Sequence, residues 1–269
     1  MLEFKKITAF LKKELRLQMS YRLDFVLGLL GIAGPVFIFF FIDRLFGHRI
    51  TPYLEPYGSN YFAYILVSLA LFNYVGAGLG SLAEKIREEE LQGTLEAVLA
   101  TPTRITTILT AFSLWNFITA SLELFFYIIL GLVLVKTGVQ PNYLSIIVIL
   151  FLSIVAFSSL GMLSASFIMV FKRGDPLSLA VYGFSSLLGG VYFPVTVLPL
   201  PLRAVSSFLP ITYAIRSMEL AIFRGCSIFQ LSGDIIPLLF FSLFLLPVSL
   251  ISFSLAIRKA KTEGSLSFY

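Results

Sequence analysis

One cysteine and one histidine are all that the 269 residues offer to thiol or imidazole chemistry. Cys226 alone permits no intrachain disulfide, and His48 alone provides no histidine cluster for a metal. Charge is scarce as well: 13% of residues are charged and 58% are hydrophobic, with a mean hydropathy of +0.92. Soluble domains run nearer 45 to 50% apolar, so a soluble secreted or cytosolic domain is excluded and an integral membrane protein is indicated. A Gly-x-x-x-x-Gly-Lys-[Ser/Thr] phosphate loop is missing, since Lys136-Thr137 and Lys261-Thr262 lack the preceding glycines. The N-terminal stretch is too charged to hold an unbroken apolar core before Leu23, so no cleavable signal is expected and the first apolar run should be retained. The net charge of +5 lies beside apolar runs rather than in one soluble patch, which argues for membrane orientation and against nucleic acid as a partner.

What is present is a series of long apolar runs. The expected fold is an all-α polytopic membrane protein forming a single domain over 1–269, with six transmembrane helices at 23–46, 61–83, 103–135, 143–171, 177–192 and 235–257. Residues 1–22 place Leu2, Ile7, Phe10, Leu11, Leu15 and Leu17 among Lys5, Lys6, Lys12, Lys13 and Arg16, the composition of an amphipathic helix lying in the membrane interface. Gly28, Gly31 and Gly34 fall along one side of span 1, and Gly76 and Gly80 form a GxxxG pair in span 2; small residues so spaced let another helix approach closely. A loop over 44–60, with Pro52 and Pro56, joins the two spans.

Between spans 2 and 3, residues 84–102 cannot lie in hydrocarbon, because they carry Glu84, Arg87, Glu88, Glu89, Glu90 and Glu96. Gly93 can close one short helix in a left-handed conformation, Thr94 can cap the next, and Glu96 then sits in its first turn, where the helix dipole favours an anion. Leu91, Leu95, Val98 and Leu99 give this bent helical segment an apolar stripe, and Thr101-Pro102 supplies a cap and first-turn proline for the following span.

The Glu-rich approach, Gly-Thr-Leu-Glu, the apolar residues and Thr-Pro resemble the first cytoplasmic loop of ABC type-2 transporter permeases. The resemblance extends to the proline-rich stretch, where Phe193-Pro194, Leu198-Pro199 and Leu209-Pro210-Ile211-Thr212-Tyr213 match the family's pattern. It implies that 84–102 is the coupling element, with Glu84, Arg87, Glu88, Glu89, Glu90, Leu91, Gly93, Thr94, Leu95, Glu96 and Leu99 contacting a separate ATPase subunit. It further implies two ATPase copies, ATP and Mg bound on those subunits with no cofactor in this chain, a second copy of the chain around one pathway, and export as the direction of transport.

The residues themselves add three readings. Residues 193–223 are apolar yet divided by Pro194, Pro199, Pro201 and Pro210 into pieces too short to cross, which fits re-entrant helices, with Phe193, Pro194, Pro199, Pro210 and Tyr213 as gate residues. Glu123 lies near the middle of span 3, and Asn116, Thr119 and Tyr127 share its face at helical spacing, a polar stripe that either lines the translocation pathway or bonds to a neighbouring helix. Arg216 and Glu219 can meet at i, i+3 as a local ion pair. Fourteen Lys and Arg fall on the side of the termini and 84–102 against six on the other, which places both termini in the cytoplasm of a multi-pass protein of the cell (inner or plasma) membrane, with lipids around it.

The leading function is a permease subunit of an ATP-driven exporter for an amphipathic drug-like or lipid-linked molecule, with polysaccharide or wall-polymer export as the alternative. A proton-coupled carrier would use Glu123 and show inverted repeats, and none is clear. An intramembrane enzyme would need a nucleophile with a histidine or a carboxylate pair, and Glu123 has no equally central partner.

Overall fold

The computed structural model describes residues 2–20, 22–57, 60–91, 105–134, 139–171 and 175–262. Among these, the regular structure is helical: α1 (Leu2–Ser20), α2 (Arg22–Ile50), a 3-10 helix (Thr51–Tyr57), α3 (Tyr61–Leu91), α4 (Ile105–Leu134), α5 (Tyr143–Phe171), α6 (Pro176–Leu188), a 3-10 turn (Val195–Val197), α7 (Leu200–Ser206), α8 (Pro210–Phe223) and α9 (Ser232–Thr262). Five of them, α2, α3, α4, α5 and α9, are long and apolar enough to cross a membrane. α6 is not. Its 13 residues reach about 20 Å at 1.5 Å per residue, short of a hydrocarbon core of about 30 Å.

The ends of α6 explain why the expected span 177–192 is cut short. Asp175 accepts a hydrogen bond from the Ser178 amide at 2.9 Å and Pro176 occupies the first turn, so the start is fixed by cap chemistry. At the other end Gly189 caps the helix, and Gly190 adopts φ 91°, a left-handed backbone that β-carbon-bearing residues rarely take. The opposite deviation occurs at α2, which runs on to Ile50 and passes into the 3-10 helix, so the expected loop over 44–60 is largely helical. No proline interrupts the chain there until Pro52.

α3 and α5 form the centre. Some 78% of the apolar window of α3 is buried, against 11% for that of α4 and 17% for that of α2. α3 packs on α4, α5, α8 and α2, and α5 packs on α3, α9 and α8. The core joins Tyr64, Ile65 and Leu71 of α3 to Ile149 and Phe157 of α5 and Ile211 and Ile215 of α8. Outer faces of α2, α4 and α9 remain apolar and exposed, as in Phe41, Phe125 and Phe240, a surface suited to lipid.

The closest helix approach lies at Gly161 of α5. A β-carbon there would stand 2.5 Å from the Gly78 and Leu79 carbonyl oxygens of α3, so the crossing requires glycine. The GxxxG reading of Gly76 and Gly80 holds in part: Gly76 abuts the Tyr182 ring of α6, Gly80 has no neighbour within 4 Å among the described residues, and Gly78 between them meets α4 and α5. Gly28, Gly31 and Gly34 likewise have no neighbour within 4 Å among the described residues, and their face of α2 is open. Elsewhere, Ser153, Ser159 and Ser166 of α5 each donate to a carbonyl one turn back on their own helix, while Ser242 of α9 also donates across to the Leu152 carbonyl of α5 at 2.9 Å.

Candidate functional site

α3 does not stop where its hydrophobicity stops. It continues from the buried core through Glu84, Arg87, Glu88, Glu89 and Glu90 to Leu91, so the first eight residues of the expected bent segment extend the membrane helix. The reason is local: Leu82–Ala83–Glu84–Lys85 and Arg87–Glu88–Glu89–Glu90–Leu91 are strong helix formers with no glycine or proline among them. Gly93, Thr94, Leu95, Glu96 and Leu99 lie outside the described residues, as does the Thr101-Pro102 pair.

On α4, the sequence-predicted stripe is divided. Glu123 is exposed on the outer surface of the helix, whereas Tyr127 is 2% exposed and turned inward, where its phenol oxygen accepts a hydrogen bond from the Asn73 side-chain amide of α3. Asn116 and Thr119 lie between these extremes, and the Thr119 hydroxyl donates to the Asn116 carbonyl at 2.9 Å, a bond internal to its own helix. The structure therefore does not gather the four residues into one lining. Asn73 was missed because a single amide in an apolar run reads as tolerated; the helix position opposite a tyrosine is visible only after α3 and α4 are packed.

The proline-rich stretch is an ordered assembly at the end of the bundle where α3 begins. Pro194 is buried and leads into the 3-10 turn, Pro199 stands at the start of α7, and Pro210 is the buried first residue of α8. Phe193 is half-buried beside them. Each join is closed by a side chain bonded to a backbone carbonyl: Ser206 donates to Leu188 at 2.7 Å, Thr212 to Ser206 at 2.9 Å and Tyr213 to Ser207 at 2.8 Å. Tyr64 of α3 donates to the Gly190 carbonyl, which ties the glycine turn to the central helix, and Arg224 reaches the Glu55 carbonyl. Backbone broken into such short pieces leaves polar groups that need these internal partners.

Arg216 forms a different ion pair from the one expected. Its Nε donates to Asp234 Oδ2 at 2.9 Å and its second nitrogen pairs with Oδ1, while Glu219, one helical turn on, is fully buried. α8 presents its i, i+3 neighbours to different surroundings, and Asp234 in the first turn of α9 faces the guanidinium. The signal for Asp234 was available: an acid directly after Gln230-Leu231-Ser232-Gly233, at a helix start, is placed to meet a cation. Desolvation is the largest single effect and acts against the charge on Arg216, but the hydrogen bond and charge of Asp234, joined by Tyr57 and Tyr213, together outweigh it and hold the guanidinium more firmly protonated than usual. Burial pushes the Tyr57 phenol up, opposed by Arg216 and reinforced by Glu219 and Asp234.

No group of three or more His, Cys, Asp or Glu suited to a metal occurs among the described residues. The arrangement as a whole is a buried central helix extended into an acidic segment at one end, with a broken-helix assembly at the other. The family model described as ABC-2 type transporter matches residues 5–223, most of the chain. No curated protein matches the chain significantly. The match covers most of α1, the α3 extension and the proline-rich assembly together, and the chain belongs to the ABC-2 type transporter family as a membrane-spanning permease subunit, whose ATPase resides on a separate subunit.

Proposed function

We propose that this chain forms the pathway of an ATP-driven exporter at the cell membrane, with both termini and the acidic segment on the cytoplasmic side. Two copies surround one pathway and two ATPase subunits, which carry the ATP and Mg, dock on residues 84–102. The substrate is an amphipathic drug-like or lipid-linked molecule.

The observation that carries this reading is the unbroken α3, which runs from the buried core at Tyr61 to the acidic Leu91 end. About 45 Å of continuous helix is a rigid connection, so a displacement at the acidic end reaches the packed centre. The open glycine face of α2 supports the second copy, since it lets a helix of another chain approach closely without displacing anything in this one. The exposed Glu123, at midspan, supports a wet pathway or a protein neighbour on that side, because a carboxyl group facing hydrocarbon is costly. α1, which packs against α4 and exposes Lys12, Lys13 and Arg16, supports an interfacial position.

The test is transport by the chain reconstituted into vesicles with its ATPase subunit. Uptake of a fluorescent amphipathic substrate into inverted vesicles should require ATP and persist when the proton gradient is collapsed. Uptake driven by a proton gradient without ATP would overturn the reading.

A further inference from the structure

A cavity of about 140 Å³ opens where the 3-10 helix, the start of α3, the glycine turn, α7 and α8 meet. This is on the order of the liquid volume of four or five waters, too small for a drug-sized molecule but large enough for one compact polar group. Its wall contains two guanidiniums, Arg203 and Arg216, with the hydroxyls of Tyr57, Tyr64, Thr196 and Tyr213, and it contains no carboxylate. Asp234 holds Arg216 from outside the wall.

Both arginines are held by part of the guanidinium only. The Arg203 Nη2 donates to the Thr196 and Leu198 carbonyls, which leaves Nε and Nη1; Arg216 spends Nε and Nη2 on Asp234, which leaves Nη1. Two of the hydroxyls are committed, Tyr64 to the Gly190 carbonyl and Tyr213 to the Ser207 carbonyl, whereas Tyr57 and Thr196 donate to nothing among the described residues. The unspent donors are thus N–H and O–H groups of four residues on separate elements, all of which line one small space. An arginine fixed in place before a ligand arrives loses little freedom on binding, and its fork matches the oxygens of a tetrahedral or planar oxyanion.

From this convergence we infer that the cavity is an oxyanion site, built to take a phosphate-type group, whether a free ion or the headgroup of a lipid. The inference does not depend on the direction of transport or on the substrate proposed above. It places recognition of a phosphoryl group at the end of the bundle remote from the ATPase docking segment, on residues that the coupling and pathway readings do not use, Tyr213 excepted.

Two probes separate the sources. Inorganic phosphate titrated against the full chain in neutral detergent would be followed by phosphorus NMR line broadening. Retention of phosphatidylglycerol by chain taken from nanodiscs of phosphatidylcholine and phosphatidylglycerol would be followed by native mass spectrometry. Arg203 is exposed, makes no ion pair among the described residues and spends its two hydrogen bonds on solvent-accessible carbonyls, so Arg203→Gln should lower the unfolding midpoint only slightly while weakening binding by about tenfold or more. Tyr57→Phe, which keeps the buried ring, provides a second variant and should weaken binding severalfold. Line broadening by phosphate identifies a free oxyanion, and lipid retention without it identifies a headgroup; either supports the site when Arg203→Gln diminishes it. Absence of both signals in the folded wild type, or signals equal in wild type and both variants, overturns it.

Discussion

Arg216 has half of its side chain in solvent, while its partner Asp234 is 4% exposed. Removing the arginine therefore leaves a covered carboxylate without its cation, and the cost falls on the residue that remains. Arg216→Ala should destabilise the folded chain by about 1 to 3 kcal/mol, less than the roughly 3 to 5 of a fully buried pair because water still reaches the site. Thermal unfolding in micelles checks the size, and Arg216→Ala combined with Asp234→Asn should recover part of the loss. A glycine pair on α3 and α5 gives a second prediction at this scale. Gly161→Ala forces a methyl against the α3 carbonyls and should cost about 1 to 3 kcal/mol, whereas Gly80→Ala meets open space and should be neutral or slightly stabilising. The sequence made Gly76 and Gly80 conspicuous by their spacing, yet spacing reports which glycines share a helix face and not which face meets a partner. Gly78 and Gly161 became identifiable only through the crossing of two helices far apart in sequence. The same limit applied to Arg216, whose i, i+3 neighbour was visible and whose actual partner lay eighteen residues away.

At the level of elements, the long helices were legible because apolar length is a local property: the expected 143–171 coincides with α5, and every described residue of the expected 103–135 lies in α4. The termini that misled were those where polarity and helicity part company. Residues 84–91 are charged, so they read as the beginning of a separate segment, but glutamate, lysine, arginine and leucine all favour helix and nothing in the run breaks it. α6 failed in the opposite sense, remaining apolar beyond a helix that two glycines had already ended. If the continuity of α3 transmits force, a proline inside its extension should uncouple the machine without unfolding its core. Ile86→Pro removes one backbone bond and kinks the helix at a cost of about 3 kcal/mol, borne outside the buried window. Substrate-stimulated ATP hydrolysis should fall while co-purification of the ATPase subunit is retained. Leu95→Asp, in the apolar stripe of the docking segment, should do the reverse and lose co-purification first, since a buried leucine contributes about 1.5 to 3 kcal/mol and an exposed ion pair such as one at Glu89 about 1 or less. Identical behaviour of the two variants would remove the distinction between transmission and docking.

For the whole molecule, the decisive surface is the open face of α2, where Gly28, Gly31 and Gly34 touch nothing of their own chain among the described residues. Glycine inside a helix is unfavourable by about 1 kcal/mol relative to alanine, so three of them along one exposed face are a local loss that no contact among the described residues offsets. A second copy would offset it by close helix contact. The two situations predict different outcomes for substitutions at Gly31. In an isolated chain, Gly31→Ala should raise the unfolding midpoint slightly; in a dimer joined at this face, Gly31→Leu should separate the copies while leaving each folded. Native mass spectrometry of the wild type released from micelles should show two permease copies with two ATPase subunits, and Gly31→Leu should shift the population toward one permease copy. ATP-dependent transport should be lost with it, because a pathway shared between two copies does not exist in one. If Gly31→Leu remains dimeric and active, the α2 face is exposed to lipid and the second copy joins elsewhere. The exposed outer surface of α4 around Glu123 would then be the next face to test, by Glu123→Gln and Glu123→Leu: pairing through a hydrogen bond survives the first and fails in the second.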